Sequence, residues 1–182
     1  MIENQAISTI MSRTSVRRYK DEMPSEEEIK TILEAAMSAP SAMSYYPWHF
    51  VVIKDEAVKD SLREALPYAK MINKGCVGIV VCGDESLYEA VSKREGEDNT
   101  LYWVEDCSAA TENMLLAAHA IGLGAVWTGI FPLESRIKLL KKLLQLPEKI
   151  TPLNLVLVGK PLGNLPKAKN KFDESKIHND KF

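Results

Sequence analysis

Cysteine is scarce in this sequence and nowhere paired. Cys76, Cys82 and Cys107 are odd in number and form no Cys-x-x-Cys unit. Neither a disulfide framework nor a zinc cluster is expected from them. Reduced, core-like thiols in a cytoplasmic protein are the simplest account. Histidine is equally sparse, and His49, His119 and His178 show no metal-ligand spacing. Charge of one sign is not in excess: the net charge is −2 and the pI about 6.0. That excludes the strongly basic face needed for nucleic acid or an anionic membrane. Long apolar runs are missing too. The longest, such as residues 77–82 (VGIVVC), fall far short of the roughly 20 residues that cross a bilayer. The first ten residues lack the basic and apolar regions of a signal peptide. There is no internal repeat, no low-complexity segment, no P-loop and no metalloprotease motif.

What is present is the composition of a globular domain. Hydrophobic residues make up 46% of 182 and charged residues 26%, enough for one domain, residues 1–182, to build a core without staples. Ser25 and Glu28 form a capping box. Ile29, Ile32, Leu33, Ala36 and Met37 follow at helical spacing until Pro40 ends the run. Residues 39–47 read as a loop and 48–53 (WHFVVI) as a strand, followed by a polar helix over 56–66. Residues 77–82 are a buried strand, and 86–99 a charged, weakly patterned surface excursion. Residues 101–121 predict the longest helix, apolar on most faces and therefore buried, with Gly122 and Gly124 as its stop. A short strand over 125–128, a helix over 132–144 opened by Pro132, and a core strand over 153–158 complete the pattern. Residues 160–182 form a tail with little to bury by itself. Helices and strands mix without strict alternation, which predicts an α+β fold with one sheet and a long buried helix.

Four segments could carry chemistry. Residues 12–18 (SRTSVRR) pack Arg13, Arg17 and Arg18 among hydroxyls, a donor set that matches phosphate oxygens. They also read as a solvated basic turn. Residues 39–48 (APSAMSYYPW) surround Ser41 with small residues and then aromatics, suiting either a flat ligand or a simple connector anchored by Trp48. Residues 122–129 (GLGAVWTG) place their glycines between a helix and a strand, the reverse of a Rossmann loop. Gly129 there permits close backbone approach. Lys167, Lys169 and Lys171 alternate, so on an extended chain they share one side and hold an anion or lie solvated. His119 reads as a satisfied helix residue. No Ser-His-Asp or Cys-His set emerges, and composition and spacing do not by themselves reach a reaction.

Taken together and in order, these segments resemble the nitroreductase family. Arg13-Thr-Ser-Val-Arg17 resembles its opening motif, and Ala39-Pro-Ser-Ala with Pro47-Trp-His-Phe-Val its second. Residues 110–129, with Asn113-Met-Leu-Leu-Ala-Ala and Gly122-Leu-Gly-Ala-Val-Trp, resemble its third. Val158-Gly-Lys-Pro161 and the lysines beyond resemble its end. The resemblance implies a mainly antiparallel sheet flanked by helices. It implies a homodimer with FMN at the interface, and a tail (160–182) that extends onto the partner. It implies that NADH or NADPH reduces the flavin, which then reduces a small electron-poor acceptor such as a nitroaromatic or quinone, in ping-pong fashion.

The same resemblance assigns roles. Arg13 and Ser15, with Thr14 beside them and Lys169 or Lys171 from the tail, would hold the FMN phosphate. Arg17 would face the N1/O2 edge of the flavin. Pro40, Ser41, Ala42, Met43 and Ser44 would come from the other subunit and pack beside the ring. Thr128 and Gly129 would place backbone near N5. No side-chain acid or base is required, because the cofactor carries the hard chemistry. The chain departs from the family where Asn and Gln are frequent and it has Ser44 and Tyr46. A pocket narrowed there fits a specialised member acting in enone reduction, dehalogenation or flavin destruction. A flavin-binding protein without significant turnover is the third reading.

Overall fold

The structure is a computed structural model that describes residues 4–182. The first three residues of the stretch read for a signal peptide therefore lie outside the described residues. Ten regular elements follow one another: α1 (Gln5–Ser12), α2 (Glu26–Met37), β1 (Trp48–Ile53), α3 (Glu56–Ala65), β2 (Cys76–Asp84), α4 (Glu89–Glu95), α5 (Tyr102–Ala120), β3 (Gly124–Gly129), α6 (Glu134–Leu143) and β4 (Ile150–Gly159). Short 3₁₀ turns occupy Ala42–Ser44, Glu85–Tyr88 and Glu174–Lys176.

The four strands form one antiparallel sheet in the order β1-β2-β4-β3. The two central strands, β2 and β4, are buried throughout, and the strand period of two sends alternate residues to opposite faces. Val77, Ile79 and Val81 of β2, with Val156 and Val158 of β4, meet α2 and α5 on one side. Cys76, Val80 and Cys82, with Leu155 and Leu157, meet α3 and α6 on the other. Burying each large aliphatic side chain contributes ~1.5–3 kcal/mol. α5 buries Trp103, Cys107, Ala110, Met114, Leu115 and Ala118 against the sheet, as a helix apolar on most faces must. The α+β expectation, with its antiparallel sheet and long buried helix, holds.

Several boundaries move for physical reasons. β4 begins at Ile150 rather than 153. Pro152 sits inside it opposite Cys82, where the register shifts in a bulge, the place a residue without an N–H is tolerated. α6 begins at Glu134, so Pro132 precedes the helix instead of opening it. Gly122, with φ of 83°, stops α5 in the left-handed region. Gly124 is already in β3, where an added Cβ would stand 2.6 Å from Val16 Cγ1. Residues 86–99 lie mostly at the surface, as expected, but they are more ordered than their weak pattern suggests. They fold into a 3₁₀ turn and α4, and they bury Tyr88, Val91 and Asn99.

Burial governs the thiols. It pushes Cys82 up from 9.0 to about 12, against a weaker opposing pull from Lys141, and it raises Cys76 and Cys107 as well. A folded-state value above the unfolded one gives stability that is complete below the unfolded value. That stability is lost as pH rises toward the folded one. The melting temperature therefore falls as pH climbs from about 9 to about 12, checked by calorimetry in steps across that range. At about pH 8 the three thiols stay unreactive to a disulfide reagent until denaturant is added.

Candidate functional site

Residues 13–20 leave α1 and run as a strap over one edge of the sheet. Val16 N–H donates to Ala125 O at 2.9 Å, in a parallel bridge of Ser15 with Ala125 on β3. Lys20 N–H donates to Lys160 O and Leu162 N–H to Arg18 O, both at 2.9 Å. The buried Tyr19 hydroxyl donates to Val16 O at 2.6 Å and reaches Leu157 O at 3.2 Å. Burial raises that phenol well above its ordinary value. At the start of the strap Arg13 Nε lies 3.4 Å from Glu112 Oε1 on α5, and Ser12 Oγ lies 2.8 Å from His119 Nε2. His119 is thus partnered within the fold, as its place in the helix suggests. Gly124 lets the strap lie this close. Gly124→Ala would drive its Cβ into three Val16 atoms at 2.6–2.9 Å, and overpacking of this kind costs ~1–3 kcal/mol. The expected result is a melting temperature several degrees lower, with the strap loosened at residues 13–18 by amide exchange.

The strap brings Arg17 beside the end of β3. Arg17, Thr128 and Gly129 line one cavity of about 450 Å³ together with Pro67, Tyr68, Lys70, Met71, Val126 and Trp127. Thr128 is buried, and its hydroxyl donates to Leu155 O at 2.8 Å. Trp127 and Gly129 are the exposed positions of the strand. A Cβ on Gly129 would meet nothing within 4 Å, so the backbone there is bare. Arg136 Nη1 donates to Gly129 O at 2.8 Å, and its guanidinium stands 5.3 Å from the Tyr68 ring centroid. Two cations, Arg17 and Lys70, and two aromatic walls, Tyr68 and Trp127, thus converge on an exposed backbone segment. That arrangement suits a flat, electron-rich or anionic ligand. The residues around Lys70 carry no motif, so spacing alone could not point to them. Trp127 lay inside the glycine-containing segment but was masked by its ordinary strand character.

The remaining candidates lie elsewhere in the chain. Arg13, Thr14 and Ser15 are half-buried on the strap and do not line that cavity, but Ser15 and Arg17 together line a second one of about 230 Å³ against residues 161–166. Lys169 and Lys171 are exposed in the tail, and among the described residues neither makes an ion pair. The loop carrying Pro40, Ser41, Ala42, Met43 and Ser44 also does not line the cavity. It packs on α5 instead, where Asp106 accepts from Ser41 Oγ at 2.7 Å and from Ala42 N–H at 2.9 Å. Met43, Ser44 and Tyr46 have φ of 54°, 56° and 49°, and a left-handed non-glycine residue costs ~1–2 kcal/mol. Tyr46 is 55% exposed and Tyr45 38%, so both stand clear of the core. Asp106 itself gave no signal in the sequence beyond being an acid on an otherwise apolar helix.

The chain matches the nitroreductase family over residues 10–71 and 63–160. A protein of Methanothermobacter thermautotrophicus, provisionally named NADH dehydrogenase/NAD(P)H nitroreductase, is 41% identical over 176 residues, which is 97% of this chain and 87% of the relative. A Bacteroides thetaiotaomicron structure of the same provisional name superposes with a TM-score of 0.88 at 42% identity, covering 100% of both chains. An FMN-dependent nitroreductase from Clostridium difficile R20291 does so with 0.83 at 25% identity, covering 97% of this chain and 99% of its own. No helix among the described residues is long and apolar enough to cross a membrane. The match runs through the strap, the Ser41 loop, the buried α5 and the end of β3, and the fold they build is shared: this chain belongs to the nitroreductase family.

Proposed function

We propose that two copies of this chain pair, build each FMN site from both partners, and reduce nitroaromatics, quinones or similar electron-poor acceptors by alternating with NADH or NADPH at one place. Membership of the family makes the chain an NAD(P)H-dependent flavin oxidoreductase with FMN as its cofactor. The observation that carries the reading is the meeting of Arg17 with Thr128 and the uncovered Gly129 in one cavity. That cavity fits the group. Its volume is in the range of small-molecule sites, its walls include Trp127 and Tyr68, and its rim holds cations.

When bound, FMN supplies two-electron chemistry between the nicotinamide and the acceptor. The chain supplies place and charge. Arg17, with Lys70 also lining the cavity, would favour negative charge on the flavin's pyrimidine edge. Arg13, Thr14 and Ser15 would hold the phosphate through charge-assisted and hydroxyl bonds, with Lys169 or Lys171 reaching over from the partner's tail. Gly129, with no side chain and open space beside it, would leave room for the ring. Residues 40–44 stand outside their own chain's cavity, which suits a role in the partner's site. The 160–182 tail, exposed from Leu162 onward with Leu165, Phe172 and Ile177 uncovered, suits an arm laid on that partner. The reading treats residues 1–182 as one FMN-binding domain of a cytoplasmic enzyme.

Initial rates measured while NADH or NADPH and the acceptor are varied test this. Parallel double-reciprocal lines are expected, and intersecting lines contradict alternation at one site. The exposed Tyr45 and Tyr46 favour a second reading, a pocket narrowed to a single acceptor. A panel of nitroaromatics, quinones and enones separates the two. Many acceptors at comparable rates support broad reduction, whereas one fast acceptor supports the specialised form.

A further inference from the structure

The Ser41–Tyr46 loop keeps three non-glycine residues in the left-handed region, a conformation that must be imposed from outside. What imposes it lies on α5. Asp106 is 5% exposed, and both its oxygens are occupied by the loop and its support. Oδ1 accepts from Ala42 N–H at 2.9 Å, and Oδ2 accepts from Ser41 Oγ at 2.7 Å and from the Tyr88 hydroxyl. Ser41 relays the hold, because its oxygen also accepts from Tyr46 N–H at 2.9 Å. The beginning and the end of the loop are therefore tied to a single carboxylate. Among the described residues no cation pairs with Asp106, so its charge is satisfied by these three donors. Tyr88 is fully buried and props the loop a second way, with its ring 5.4 Å from Tyr45 and 5.9 Å from Tyr102.

We propose that Asp106, backed by Tyr88, is a positioning residue that sets the shape in which residues 41–46 meet the flavin of the partner subunit. The inference rests on the flavin reading given above. Neither side chain lines the cavity, so each acts through the loop. Asp106→Asn preserves bulk but places an NH₂ group against two hydroxyls that both donate. An amide NH₂ accepts from neither, so either both hydroxyls turn and the Ser41 link to Tyr46 N–H loosens, or the amide flips and sets its NH₂ against Ala42 N–H, and each way the loop loses part of its hold. The charge and geometry are thus tested without opening a cavity.

The experiment uses the full chain, wild type, D106N and Y88F. Amide exchange is followed without flavin, and FMN affinity is followed by fluorescence quenching. In D106N, exchange at Ala42 and Tyr46 is expected to speed up about tenfold or more while α5 and β2 keep their protection, with FMN Kd raised about tenfold. Y88F, which keeps the ring and loses one donor, is expected to move both about threefold. Unchanged exchange at Ala42 and Tyr46 overturns the proposal, as does faster exchange with unchanged FMN affinity. If wild type binds no FMN, the flavin reading fails by itself, and the exchange measurement alone decides whether Asp106 orders the loop. If D106N does not fold, Y88F carries both measurements, and wild-type values for it overturn the proposal.

Discussion

Arg17→Ala lowers FMN affinity about thirtyfold or more, and it slows reduction of the remaining bound flavin by NADH or NADPH. Arg17 is exposed on the strap and lines the cavity opposite the bare end of β3. Its backbone position is fixed by neighbours, not by its own side chain: Val16 bonds Ala125, and Leu162 bonds Arg18. Truncation therefore removes a charge and its donors while leaving the fold in place. A hydrogen bond to a charged group is worth ~1.5–3 kcal/mol, which converts to roughly ten- to hundredfold in affinity. The effect on reduction adds to this, because a fixed cation stabilises negative charge that grows as the flavin is reduced. Arg17→Lys keeps charge but not the planar fork, so it recovers only part of the loss. Fluorescence titration and anaerobic stopped-flow traces measure the two effects separately. Wild-type affinity in Arg17→Ala would return the strap to the status of a solvated basic turn.

Removing residues 165–182 has the second large effect: the chain becomes monomeric and FMN affinity falls about a hundredfold or more. This segment has no core of its own. Leu165 is 44% exposed, Phe172 73% and Ile177 55%, apolar side chains that the proposed partner subunit would cover. The same cut deletes Lys169 and Lys171, the tail's candidates for the phosphate. Light scattering gives the mass, and titration gives the affinity. Lys169→Ala and Lys171→Ala, made singly, then show which ammonium matters. A truncated chain that stays dimeric and binds FMN as before would make the tail surplus to the site.

What could be read in the sequence was what spacing encodes. The Ser25–Glu28 box is real, with Glu28 N–H donating to Ser25 Oγ at 3.1 Å and Ser25 N–H to Glu28 Oε2 at 2.7 Å. Such bonds join residues three apart, so a one-dimensional pattern contains them. The buried α5 and the central strands were legible for the same reason. Residues 86–99 were not, because a 3₁₀ turn running into a seven-residue helix gives no stable period, although Tyr88 is fully buried. The site divides likewise. The strap and the end of β3 were marked by residue chemistry as possible ligand segments and given roles only through a family resemblance, and their meeting depends on the Val16–Ala125 pairing across the fold. Lys70 and Tyr68 reach the cavity from an irregular segment without a motif. The Asp106–Ser41 bond joins residues 65 positions apart, a contact that packing creates and local spacing cannot announce.

The most direct test of the central claim is the visible absorbance spectrum of the purified full chain, recorded with added FMN and again after anaerobic NADH or NADPH. The account predicts a bound-flavin spectrum that bleaches with at least one of the two donors and returns when an electron-poor acceptor is added. A chain that retains no FMN, or holds it without bleaching by either donor, would contradict it.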